Sequence, residues 1–208
     1  MAAKAKVIQG NALWAKVFEP DTKFDPNGTY SIQVTIPEEE AAGICEYLDK
    51  VVQERFDEEV KAKPKMKNSL STKAGYEPHY DKDGNETGLV EFRFKLKAKV
   101  QTRDGSLYDQ KPIVVDAKRN PMDSNNLIGN GSTVKVAFEP IPYVMASTKQ
   151  VGVSLRLKGV QVIELVEYGN GGASMFDEED GFVAEKMEMA TSPFDDGMDD
   201  TDESEGDF

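Results

Sequence analysis

The amino-acid sequence predicts a mainly β fold: a small antiparallel barrel with one amphipathic helix, followed by an acidic tail. Three observations carry this. Short segments with period-two alternation recur along the chain, separated by Gly, Pro, Asn and Asp turns. One segment, opening at Pro37, has helical spacing instead. The charge is also unevenly placed, because 14 of the 38 acidic residues but only one of the 25 basic residues fall in residues 173–208. Residues 1–172 are therefore neutral, and the net charge of −13 belongs to the tail. A segment with so much like charge does not fold alone and is expected to be disordered. Many short strands with one interposed helix put an OB-like Greek key first among the architectures. The expected division is a folded domain, residues 1–172, and a flexible tail, residues 173–208.

Lys4 to Phe18 alternates loosely and reads as one or two strands, with Gly10-Asn11 as a turn between them. Glu19 to Gly28 is a loop around Phe24, and Thr29 to Ile36 alternates cleanly as a strand. Pro37 opens the helix, which is expected to run to about Lys63. Proline in the first turn, with Glu38, Glu39 and Glu40 against the positive helix end, is the expected start. Ile44, Leu48, Val51, Val52, Phe56 and Val60 form a stripe suited to covering the open side of a sheet. Lys61 to Tyr76 holds five lysines and no acid among Pro, Asn, Ser and Gly, and reads as a mobile basic loop. Asp81 to Gly88 is a hairpin turn. It resembles half a calcium loop but has Glu86 where glycine is needed and Phe92 where the bidentate Glu is needed. Glu91 to Arg103 is a two-faced strand, with Phe92, Phe94, Leu96, Ala98 and Val100 on one side and cations on the other. Asp104-Gly105 closes a further turn, and Lys111 to Ala117 reads as a buried strand. A loop, Arg119 to Ser132, precedes strands at Thr133 to Phe138 and Gly152 to Val166. Between those strands a loop, Glu139 to Gln150, carries Tyr143.

The functional signal is the cationic face Arg93, Lys95, Lys97 and Lys99, which has no carboxylate among its members. Lysines do protect strands from edge pairing, but this row also suits a polyanion, above all a nucleic-acid backbone. Base-stacking candidates, in order, are Tyr143, Phe24, Tyr76, Tyr80, Tyr108 and Trp14. Trp14, the one tryptophan, reads first as a core anchor and second as a stacking platform. An enzyme is not expected. His79 is the only histidine and Cys45 the only cysteine, so a nucleophilic triad, a metal centre or a cofactor site has little to build on. No apolar run spans a membrane and none follows the first lysines as a signal peptide would, so the expected compartment is the reducing cytoplasm. The competing class is an acidic protein-interaction module whose tail mimics DNA and blocks a nucleic-acid enzyme. The basic comb argues against it.

Several blocks, in order along nearly the whole chain, resemble the single-stranded DNA-binding protein of T-seven-like phages. They are GTYSIQVTIP (Gly28 to Pro37), EFRFK (Glu91 to Lys95), IVVDAK (Ile113 to Lys118) and IGNGSTVKV (Ile128 to Val136). IPY (Ile141 to Tyr143), the run from Val151 to Gly172 and the closing GDF (Gly206 to Phe208) complete the set. The resemblance implies an OB fold that forms a homodimer, coats single-stranded DNA in replication and recombination, and promotes annealing in the cytoplasm of an infected bacterial host. It implies DNA contacts at Arg93, Lys95, Tyr143 and Lys4, and at Lys65 or Lys67. It further implies that the acidic tail covers the DNA cleft when DNA is absent and docks on the phage DNA polymerase and helicase-primase. The tail residues concerned are Asp199, Asp200, Asp202, Glu203, Glu205, Asp207 and Phe208. Where relatives can carry an aromatic on the basic strand, this chain has Lys97.

Overall fold

The computed structural model describes residues 5–102 and 104–167; Lys4, Arg103 and the whole acidic tail lie outside the described residues. In chain order the elements are β1 (Lys6–Asp21), β2 (Thr29–Pro37), α1 (Glu38–Ala62), a 3-10 turn (Pro64–Ser69), β3 (Ser71–Lys73), β4 (Tyr76–Tyr80) and β5 (Glu86–Lys97). Then come β6 (Lys99–Gln101), β7 (Leu107–Asp109), β8 (Ile113–Val115), β9 (Thr133–Met145) and β10 (Gln150–Glu164).

Five strands close a ring in the order β1, β2, β5, β10, β9 and back to β1. Four of the five pairings are antiparallel. The closing pair, β5 with β10, is parallel, with Leu155 beside Phe94 and Arg156 beside Lys95. This is the OB-type Greek-key barrel expected from the alternating segments. Inward residues of β5 (Phe92, Phe94, Leu96) meet Ile32 and Val34 of β2, Val134, Val136 and Phe138 of β9, and Leu155 and Leu157 of β10. The rings of Phe94 and Phe138 lie 5.1 Å apart at 52°. Burying each such side chain stabilises the fold by roughly 1.5–3 kcal/mol. Helix α1 begins directly after Pro37, buries Ala41, Leu48 and Val52, and packs against β9 and β10 as a cover.

The structure corrects five local expectations. β1 is one strand: Gly10 is no turn but a close crossing, where a Cβ would lie 2.5 Å from the carbonyl oxygen of Thr35. The chain bends later, at a bulge between Leu13 and Lys16 where Trp14 has φ 51° and its N–H donates to Asn130 Oδ1 at 2.8 Å. Residues 61–76 are not a mobile loop, since the helix end, a 3-10 turn, β3 on β10, and β4 on β5 all structure them. The two-faced strand stops at Lys97, because Ala98 turns away to bond Gly28 and Gln110. The stretch read as a buried strand at 111–117 shrinks to β8, a three-residue edge strand with Ile113 70% exposed. Finally, β9 continues through Pro140 and Pro142 to Met145, so Tyr143 belongs to a strand. Those prolines fall beyond Phe138, the last β9 residue paired to β1, where no described strand pairs on that side and no ladder donor is needed among the described residues.

Candidate nucleic-acid interface

Alternation along β5 turns Arg93, Lys95 and Lys97 outward as a consequence of burying Phe92, Phe94 and Leu96. The neighbouring outward residues on β2 are Gln33, Ser31 and Thr29, short or neutral side chains that leave the cations uncovered. On the other side, parallel register sets Arg156 of β10 beside Lys95. Like charges abreast on adjacent strands are unfavourable unless an anion lies near. Over this surface runs an open groove of about 560 Å³. Its walls are residues 73–77 around β4, the outer face of β5 from Glu91 to Lys97, Ile141 and Tyr143 of β9, and Val153 to Arg156 of β10, with Val100 and Gln110 at one end.

Carboxylates from other positions reach most of these cations. Glu91 accepts from Arg93 Nε at 2.7 Å and holds the guanidinium firmly in its charged form, raising its pKa. Glu77 lies 3.7 Å from Arg93 Nη2 and 3.2 Å from Lys73 Nζ. Asp25 is 4.0 Å from Lys97, and Glu139 is within 3.7 Å of Arg156 and 3.6 Å of Lys158. Lys95 has no carboxylate partner among the described residues. The pairs that Glu77 makes with Lys73 and Arg93 are exposed on both sides, a kind worth about 0–1 kcal/mol each and weak enough for a phosphate to exchange with the carboxylate.

One aromatic ring of the candidates, that of Tyr143, lines the groove, while Tyr76 borders it with its ring turned inward onto the core. Tyr143 lies over Gly152, where a Cβ would come within 2.6 Å of its hydroxyl and 2.7 Å of the ring, so glycine is what seats it. Tyr76 packs its ring on Phe92 at 6.0 Å and donates its hydroxyl to Asp49 Oδ2 at 2.9 Å. Burial, with Asp49 adding to it, pushes the Tyr76 phenol up to about 12. Phe24 is 88% exposed in the β1–β2 loop, and its neighbour Asp25 ties that loop to the Lys97 end of the groove. The remaining candidates fall elsewhere. Lys65 and Lys67 sit on the 3-10 turn, Lys99 on β6, Tyr108 on β7 and Tyr80 at the far end of β4, and none lines the groove. Trp14 is 66% exposed, which overturns its reading as a core anchor, and it lies on the β1 bulge outside the groove. Lys4 and the tail residues lie outside the described residues.

Sequence reasoning passed over Arg156, Gly152 and the two carboxylates Glu77 and Glu91, and counted Lys73 only within the basic run from Lys61 to Tyr76. For Arg156 the signal was present, as Ser154, Arg156 and Lys158 alternate with Val153, Leu155 and Leu157. Among the described residues no group of three His, Cys, Asp or Glu side chains is placed to hold a metal. His79 Nδ1 is engaged with Thr87 Oγ1 at 2.9 Å, and burial with Asp49 pushes the Cys45 thiol up to about 11. A thiol so shifted is a poor nucleophile at neutral pH. No described helix is long and apolar enough to cross a membrane.

Residues 10–165 match the family described as "Single-stranded DNA-binding protein, Bacteriophage T7". The chain is 30% identical over 187 residues to the single-stranded DNA-binding protein of Escherichia phage T7, covering 82% of this chain and 78% of that one. To the protein of the same description from Enterobacteria phage T3 it is 29% identical over 160 residues, 71% of this chain and 67% of the other. Its fold superposes on the crystal structure of gp2.5, a single-stranded DNA-binding protein encoded by bacteriophage T7. That superposition has a TM-score of 0.66 at 27% identity and covers 88% of this chain and all of the other. With the Greek-key barrel, the cationic outer strand and a family match spanning three quarters of the sequence, the chain belongs to the bacteriophage T7 family of single-stranded DNA-binding proteins.

Proposed function

We propose that this chain binds single-stranded DNA along the β5–β10 groove, without sequence preference and without chemistry on the strand. The observation that carries the reading is the juxtaposition of Arg93, Lys95 and Arg156 with the ring of Tyr143 in one open channel. Cations collect phosphates and release counterions from the strand, while a ring stacks on any base at about 1–3 kcal/mol. Phe24 extends the stacking surface at the mouth, and Lys73 and Lys97 extend the phosphate track. Lys65, Lys67 and Lys99 then contribute through their charge at longer range, and Lys4, outside the described residues, stays a further contact on the strength of the family resemblance. The test is fluorescence anisotropy of labelled oligo-dT with the wild type and with Lys95→Glu. Charge reversal weakens binding and flattens its salt dependence by about 0.7 or more per lost phosphate contact. An unchanged isotherm removes the groove from consideration and favours the acidic tail as the functional element.

Family membership supports a finer reading. In this reading residues 1–172 coat DNA in phage replication and recombination and promote annealing, in the cytoplasm of the infected host. Residues 173–208 compete for the groove and, once displaced, recruit the polymerase and helicase-primase through the acidic run ending in Phe208. A homodimer is part of the same reading. The outer barrel face supports it, since Val7, Ala137, Gly159 and Ile113 share one register row across β1, β9, β10 and β8. Val7 is 61% exposed, and Lys135 and Glu139 flank Ala137 at equal distance along β9. A two-fold axis along the row sets each Lys135 against the other copy's Glu139. Ile113→Glu therefore lowers the mass seen by light scattering to that of one chain, and a wild type already of that mass rejects the dimer.

A further inference from the structure

We infer that two carboxylates of the groove wall act on Arg93 with opposite effect: Glu91 positions its guanidinium for an incoming phosphate, and Glu77 is a resident counterion which that phosphate displaces. The inference rests on reading the groove as a track for single-stranded DNA. The two acids differ in burial and in the edge of the guanidinium they meet. Glu91 is 11% exposed by its side chain, stands two residues before Arg93 on the same outer face of β5, and accepts from Nε at 2.7 Å. That bond orients the plane of the guanidinium and commits Nε, which leaves the two terminal nitrogens to face the channel. Glu77 comes from β4, directly opposite Glu91 in the pairing register. It is about half exposed and reaches only Nη2, at 3.7 Å.

Two carboxylates facing each other across a strand pair repel, and Arg93 lies between them as the charge that reconciles them. A phosphate arriving at the terminal nitrogens meets Glu77 as its competitor, because Glu91 is held deeper and by the shorter bond. The second oxygen of Glu77 lies 3.2 Å from Lys73 Nζ, so the same acid also holds a second cation of the channel. Among the described residues β4 forms one end of the sheet path, with no further strand beyond it, so the half-exposed Glu77 side chain has open space beside it to swing into. Binding at this point of the groove is thus an exchange of anions rather than the filling of an empty cationic site. A resident anion lowers affinity and keeps a DNA coat removable.

The test uses the full chain and labelled oligo-dT across a salt series, with Glu77→Gln, Glu91→Gln, Arg93→Ala and the double variant Glu77→Gln/Arg93→Ala. Glu77→Gln binds about two- to fivefold tighter, the range of an exposed ion pair, and its log affinity falls more steeply with log salt by about 0.7. Glu91→Gln binds more weakly and flattens the slope by about the same step, which a merely structural role would not do. The gain from Glu77→Gln shrinks when Arg93 is already alanine, and what remains belongs to Lys73. Thermal melts establish that each variant is folded. Equal or weaker binding by Glu77→Gln, or a gain undiminished without Arg93, overturns the inference. A wild type that fails to bind oligo-dT at all overturns the functional reading instead, so the two failures are distinguishable.

Discussion

At the scale of single residues, Tyr143 and Gly152 make one device from two strands. The ring occupies the space a side chain at 152 would take, so its position over the groove is set by an absence. Gly152→Ala pushes the ring outward and weakens oligo-dT binding much as Tyr143→Ala does, by about 1–3 kcal/mol, the worth of one base–aromatic stack. Anisotropy reads the loss, and a fold-preserving melt separates it from collapse of β10. If Gly152→Ala binds as the wild type does, Tyr143 is not a stacking platform. Trp14 gives the complementary case. It carries φ 51° on the bulge of β1 and is exposed, so it stores backbone strain without lining the groove. Trp14→Gly is expected to leave oligo-dT affinity unchanged and to keep or raise the melting temperature, as relief of a left-handed residue does.

At the scale of elements, the wall of the groove is tied to the helix by one bond, from the Tyr76 hydroxyl on β4 to Asp49 on α1. The phenol is raised to about 12, first by burial and then by Asp49. In the unfolded chain a tyrosine titrates near 10. The folded state therefore holds this proton more tightly, and the stability it contributes is complete below about pH 10 and lost as pH rises through about 12. Stability measured by denaturant from pH 9 upward falls more steeply for the wild type than for Tyr76→Phe. Equal slopes would show that the bond does not couple β4 to α1. The elements also show what was legible in the sequence. The alternation of β2 and β5, the start of α1 and the cations Arg93 and Lys95 were all readable, because each is a pattern within one segment. Gly10 was misread because a close crossing and a turn both call for glycine. Tyr143 was placed in a loop because Pro140 and Pro142 break the usual strand signal. Glu77 and the parallel β5–β10 closure were invisible because they come from pairing between distant segments, and no local spacing records which strands will meet.

At the scale of the whole molecule, charge is the organising quantity. The neutral body of residues 1–172 offsets most of its groove cations locally, through Glu91, Glu77, Asp25 and Glu139. The tail carries the entire net charge of −13, with Lys186 as its one basic residue against 14 acids. A tethered anion acts at an effective concentration of about the millimolar range, so under the proposed competition even weak contacts of the tail would count against DNA. Removing residues 173–208 should tighten oligo-dT binding most at low salt. The advantage should shrink as the screening length falls from about 30 Å at 0.01 M salt to about 8 Å at 0.15 M. The shape of that convergence discriminates between mechanisms. A tail that blocked the groove through Phe208 and its other apolar residues would keep its effect at high salt, since apolar burial is not screened. A tail that acts by charge loses it. Full-length and truncated chains that bind alike at every salt concentration would remove the tail from the control of DNA binding, and leave partner docking as its remaining role.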